Sequence, residues 1–166
     1  MSDDAVEDPS ALRVIEEHWN MTYQHAAGRS ASHFYDVLER DGRLVGRRCP
    51  ECTRVLIPPR SFCDRCFSAT TDWADVEPTG KLEMFTVVYQ KFQGLPEPPY
   101  AFGYVLLDGA DTAILNFIRG VDVSEPEQVG RSLSVGAPMT AMFAADRRGL
   151  MADFWFEPGP EGESGP

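Results

Sequence analysis

Cys49-Pro50-Glu51-Cys52-Thr53-Arg54-Val55-Leu56-Ile57-Pro58-Pro59-Arg60-Ser61-Phe62-Cys63-Asp64-Arg65-Cys66 holds all four cysteines of the 166-residue chain, as two Cys-x-x-Cys pairs with ten residues between them. Two residues between cysteines let both thiolates turn toward one ion, and the short connection can bring the second pair back over the first. The pattern predicts a zinc ribbon with Cys49, Cys52, Cys63 and Cys66 as ligands. Rubredoxin-like iron, an empty site and two disulfides are the alternatives. Disulfides need an oxidising compartment, and the acidic start Met1-Ser2-Asp3-Asp4, with neither a basic nor an apolar run, predicts a cytoplasmic setting instead. The residue after the second cysteine of such a knuckle commonly sits at positive φ and is commonly glycine. Here it is Thr53 and Phe67, so either the knuckles are distorted or the backbone turns differently.

The segments around this ribbon follow from periodicity. Residues 1–8 carry four acids and read as a disordered tail. From Pro9 a helix is expected, capped by Asp8, with Leu12, Ile15, Trp19 and Tyr23 on one face and Gly28 ending it. Ser30 or Ser32 can cap a second helix whose Phe34, Val37 and Leu38 share a face before Gly42 closes it. The domain reading is therefore a helical hairpin over 9–42, the ribbon over 43–72, a β domain over 73–157 and a disordered tail over 158–166. His33, at a helix start, is read as a solvated or capping residue.

Beyond the ribbon the pattern changes to alternation. Strands are expected at 82–89, 101–107, 112–118, 139–145 and 150–156, with turns at Pro78-Thr79-Gly80, Asp108-Gly109-Ala110-Asp111 and Asp146-Arg147-Arg148-Gly149. Residues 125–130 are at best a short helix. Five strands closed into a barrel, which removes their edges, are the inventory of an OB-fold. The fold class is thus mainly β with two N-terminal helices. Residues 92–100, with three prolines among Phe92, Leu95 and Tyr100, cannot pair as a central strand and read as a binding loop or a stiff connection.

Charge narrows the function. A net charge of −11 argues against sequence-independent nucleic-acid binding, which needs Lys and Arg against phosphates. The ribbon is nonetheless basic. From Arg40 to Cys66 there are seven arginines against three acids, which suits a phosphorylated ligand, an acidic partner surface, or the shielding of a metal tetrathiolate of charge −2. No apolar run is long enough to span a bilayer. The cysteines are committed to metal and the histidines, His18, His25 and His33, all lie in the N-terminal segment, so no nucleophile with a base in reach stands out and no catalytic residue is assigned.

The order of elements resembles a domain-of-unknown-function family of acyl-CoA-associated proteins with a rubredoxin-like zinc ribbon and an OB-fold. The likeness rests on Phe34-Tyr35 through Gly42-Arg43-Leu44, on Arg48-Cys49-x-x-Cys52, and on Pro58-Pro59-Arg60-x-x-Cys63-x-x-Cys66. It continues through Trp73, Thr79-Gly80, Phe85-Thr86-Val87-Val88, Pro99-Tyr100, Val105-x-Leu107-Asp108-Gly109 and Gly136-x-Pro138-Met139 to Phe143, spanning roughly 32–158. The family has glycine where this chain has Thr53. The resemblance implies a non-catalytic subunit that binds acyl-CoA and forms a hetero-oligomer with a thiolase-superfamily enzyme, a thiolase or an acyl-CoA aldolase, in a degradative β-oxidation-like pathway. It implies structural zinc and a CoA thioester shared with the partner, and no nucleic acid or membrane. The CoA phosphates would need Arg47, Arg48, Arg54, Arg60 or Lys91, and the pantetheine and acyl arm an apolar slot from Phe92, Leu95 and Tyr100. A nucleic-acid-binding ribbon and OB module, or a stand-alone CoA-dependent enzyme, is the alternative.

Overall fold

The computed structural model describes residues 21–160. Its mass is β. A three-stranded antiparallel sheet in the order β2-β1-β3, made of β1 (Leu44–Arg48), β2 (Val55–Leu56) and β3 (Asp72–Val76), forms the ribbon. A closed five-stranded barrel follows in the order β4-β5-β6-β8-β7, from β4 (Thr79–Val88), β5 (Tyr100–Leu107), β6 (Ile114–Ile118), β7 (Pro138–Phe143) and β8 (Phe154–Pro158). This is the expected OB barrel, closed by the parallel pair Ile118–Phe156. The short helical segment comprises a 3-10 turn, Pro126–Gln128, and α2 (Val129–Ser132).

The helical hairpin is corrected. Leu12, Ile15 and Trp19 lie outside the described residues, and residues 21–27, including Tyr23, are not helical. Among the described residues one N-terminal helix is present, α1 (Gly28–Asp41), so Gly28 begins a helix instead of ending one. Its φ of +77° explains the mistaken sign, because a left-handed glycine marks a change of chain direction on either side of a helix. Neither Ser30 nor Ser32 caps it; the cap position is Ala27, with no side-chain bond. Packing carries this helix instead. Phe34, Val37 and Leu38 are buried against the ribbon and barrel, each contributing about 1.5–3 kcal/mol of burial. Gly42, left-handed at φ 61°, ends it as expected.

One hydrophobic core runs through all three parts, joining Phe34 and Leu38 of α1, Leu44, Val45 and Val55 of the ribbon, and Leu82, Val105, Ile114 and Phe156 of the barrel. The ribbon is therefore seated on the barrel and shares its core. Polar contacts fix the seat. Asp111 and Thr112, at the β5–β6 turn, bind the main chain of Val55 and Ile57. At the other corner the Arg147 guanidinium donates to the carbonyls of Leu38 and Glu39 at the C-terminus of α1, where a cation complements the helix dipole.

Candidate metal centre and surrounding surfaces

The candidate metal centre is two copies of one local structure. In the first knuckle the Cys49 N–H donates to the Arg54 carbonyl (2.9 Å) and the Thr53 N–H to the Cys49 carbonyl (3.0 Å). In the second, Cys63 N–H donates to the Ser68 carbonyl (2.9 Å) and Phe67 N–H to the Cys63 carbonyl (3.0 Å). Both turns close only if the residue after the second cysteine is left-handed, and Thr53 (φ 60°) and Phe67 (φ 57°) are so. The knuckles are regular and their non-glycine residues carry the strain, about 1–2 kcal/mol each.

The four sulfurs converge. All lie within 4.8 Å of one another, and Cys52 Sγ is 3.7 Å from Cys63 Sγ. That is far beyond a disulfide's ~2.05 Å. It is close to the spacing of about 3.8 Å that four sulfurs take around a tetrahedral zinc at 2.3 Å. The donor set itself calls for a cation. The N–H groups of Cys66 and Arg65 pull the Cys63 thiol down to about 7, whereas contact with the Cys52 sulfur pushes Cys66 up to about 12. Sulfurs this close cannot all ionise on their own, and a divalent ion removes the conflict. Cys49 and Cys63 are fully buried beside Leu56, and Cys52 and Cys66 close the outer side.

The arginines around the centre bind protein oxygens. Arg48 donates to the Thr53 carbonyl at 2.9 Å, holding the first knuckle. Arg47 donates to the Thr70 carbonyl and lies over the Trp73 ring, 4.9 Å from its centroid. The same indole packs against the tilted ring of His33, centroids 4.0 Å apart, so His33 pins α1 to β3. Arg54 and Arg60 both pair with Asp64, and Arg54 also reaches the Asp111 carbonyl.

The eight residues expected at acyl-CoA divide into two groups. Arg47, Arg48, Arg54 and Arg60 belong to the ribbon, which touches the barrel at Asp111 just beyond the end of β5. Lys91, Phe92, Leu95 and Tyr100 lie at the beginning of β5, where Tyr100 pairs with Val88. β5 runs between Tyr100 and that joint, and Arg60 reaches partway along it, to the level of Leu106 and Tyr104. Lys91 forms an ion pair with Glu97 within the loop, and Phe92 and Leu95 are exposed. Tyr100 is buried against Phe117, its hydroxyl without a partner among the described residues.

Two surfaces beside Arg60 were not foreseen. A groove of Arg60, Glu83, Met84, Tyr104, Leu106 and Thr112 runs along the barrel wall, and an apolar depression of Met84, Phe102, Tyr104 and Leu115 continues it. A register shift between Leu82 and Met84 breaks the alternation that would have foretold which side chains face outward. A second groove runs from Ala27–Ala31 to Pro59–Phe62, so Arg60 lines both grooves.

Comparison with known proteins agrees with this architecture. Residues 38–72 match the model of the ChsH2 rubredoxin-like zinc ribbon domain, and residues 73–144 match that of the ChsH2 C-terminal OB-fold domain. Among curated proteins, none matches. A solved structure described as an Ltp2–ChsH2(DUF35) aldolase is similar at 21% identity and a TM-score of 0.62, over 81% of this chain and 98% of the matched one. A DUF35-family protein of unknown function from Sulfolobus solfataricus is similar at 16% identity and a TM-score of 0.58, over 80% and 87%. At these identities the structures attest the fold. The two contiguous domain matches identify the chain as a member of the ChsH2-type DUF35 family of zinc-ribbon and OB-fold proteins.

Proposed function

We propose that this chain is a non-catalytic subunit that assembles with a thiolase-superfamily enzyme, a thiolase or an acyl-CoA aldolase, and helps to form its CoA-thioester site. The observation that carries this reading is the pair of ChsH2-type domains in the order ribbon then barrel, together with a structural relative described as an aldolase of Ltp2 and ChsH2. The side-chain chemistry is consistent with it. The cysteine sulfurs converge on one another instead of on a base, and His33 is held on Trp73.

Cys49, Cys52, Cys63 and Cys66 would hold a zinc ion in a closed four-thiolate site, where the metal supplies folding energy and leaves no open position for a substrate. Arg60, on the rim of the groove formed with Met84, Tyr104 and Leu106, is the residue best placed to meet a phosphate beside an apolar slot. Lys91, Phe92 and Leu95 form a second contact region at the far end of β5.

The test is co-expression with a thiolase-superfamily protein encoded beside this chain. A stable hetero-oligomer that cleaves or condenses a CoA thioester, with neither chain active alone, is the expected result. A monodisperse lone chain with full activity would end the accessory reading, and tight, salt-sensitive binding of single-stranded nucleic acid would replace it.

A further inference from the structure

Phe67 occupies a costly position in the ribbon on two counts. Its backbone is left-handed at φ 57°, a conformation that glycine adopts freely, and its side chain is 80% exposed at the tip of the second knuckle. Glycine there would keep the N–H bond to the Cys63 carbonyl and remove both penalties. Thr53, in the equivalent place of the first knuckle, at least returns a hydroxyl bond to the Cys52 carbonyl. The Phe67 ring makes no aromatic contact among the described residues.

A second phenylalanine stands on the same hairpin. Phe62 bridges to Ala69, is 54% exposed and lines the groove running to Ala27–Ala31. Basic residues surround the two rings: Arg29 and Arg60 line that groove, Arg60 in an ion pair with the exposed Asp64, and the exposed Arg65 lies between the two rings in sequence. Strained and exposed aromatic side chains that the fold does not need are found where a partner repays them, and aromatic groups inside a polar rim are the usual anchors of protein interfaces.

We propose that Phe67, with Phe62, is the anchor by which the ribbon docks on its partner enzyme, each ring covering apolar partner surface whose neighbouring carboxylates face Arg29 and Arg65. This rests on the accessory-subunit reading above. It adds which face of the ribbon makes the contact and what the partner must present.

The test compares metal-loaded full-length wild type with Phe67→Gly and Phe62→Ala, each titrated with the purified thiolase-superfamily partner. Phe67→Gly is expected to leave the thermal midpoint equal or higher while weakening the complex at least tenfold, a split that a merely structural residue would not give. Phe62→Ala should weaken it in the same direction. Affinity within twofold of wild type for Phe67→Gly overturns the proposal. So does binding to phosphatidylglycerol vesicles or to oligo-dT that depends on Phe67 while the partner's binding does not. If wild type binds no such enzyme, the proposed function fails, and a photo-crosslinking amino acid at position 67 in the native cell then decides the anchor. No discrete protein adduct overturns it; an adduct whose purified protein shows the same Phe67→Gly loss sustains it.

Discussion

Asp111 and Val55 hold each other in both directions: the Asp111 carboxylate accepts the Val55 N–H at 2.8 Å, and the Asp111 N–H donates to the Val55 carbonyl at 2.8 Å. The pair joins ribbon strand β2 to the barrel's β5–β6 turn, and Thr112 repeats the arrangement on Ile57 with its hydroxyl. Asp111→Ala leaves the Val55 N–H unpaired at a half-buried joint, and should cost about 1–3 kcal/mol. Asp111→Asn keeps an acceptor and should cost less. Urea unfolding of the three proteins measures both, and equal midpoints for wild type and Asp111→Ala would show that the joint contributes nothing.

The joint also marks where sequence reading stops. Asp108-Gly109-Ala110-Asp111 is a turn, as its composition says, but nothing local reveals that Asp111 serves a strand 56 residues earlier. The barrel strands were legible because alternating or continuous apolar runs stand between turn residues, and the ribbon because its cysteine spacing admits few geometries. Gly80 misled by a neighbouring cause. It reads as a turn, yet lies within β4, where a Cβ would come within 2.3 Å of the Leu106 carbonyl oxygen, so glycine is there for close approach between strands. The expected strand at 150–156 starts only at Phe154 because Asp153 folds residues 151–153 into a 3-10 turn. His33 looked idle because its partner, Trp73, lies forty residues on.

Removal of metal should unfold the ribbon. Structural zinc in small domains contributes about 10–16 kcal/mol of apparent binding free energy that is also folding free energy. Strong chelation, or Cys49→Ser, is expected to abolish near-stoichiometric zinc and to dissociate the proposed complex. The barrel strands should survive better than the ribbon, because most of the barrel core does not touch the cysteine cluster. Elemental analysis of freshly purified protein checks the first part; less than half an equivalent of zinc or iron would count against a metal centre.

Thr53→Gly should stabilise the chain by about 1 kcal/mol. The substitution removes the left-handed strain at φ 60° and keeps the Thr53 N–H bond to the Cys49 carbonyl and the Arg48 bond to its own carbonyl. It loses the hydroxyl bond to the Cys52 carbonyl and gains backbone freedom in the unfolded state, and both reduce the benefit. A lower thermal midpoint with unchanged metal content would show that the hydroxyl matters more than the backbone.

Acid should loosen the β7–β8 connection through Asp153. Burial pushes this carboxyl up, but the N–H groups of Leu150, Arg148 and Gly149 and the Arg148 charge outweigh it, holding it below the usual carboxylate range. Two of those bonds are short, 2.7 Å from Arg148 and 2.8 Å from Leu150. A carboxylate whose folded value lies below its unfolded one stabilises fully above about pH 4, and that stabilisation is lost as pH falls through the folded value. Asp153→Asn should therefore cost about 1–3 kcal/mol at pH 7, since its amide cannot satisfy the same set of donors. The gap between variant and wild type should narrow steadily below pH 4. Denaturant midpoints collected from pH 7 to pH 3 give both numbers, and a gap that stays constant would mean that the Asp153 charge plays no part in holding the turn.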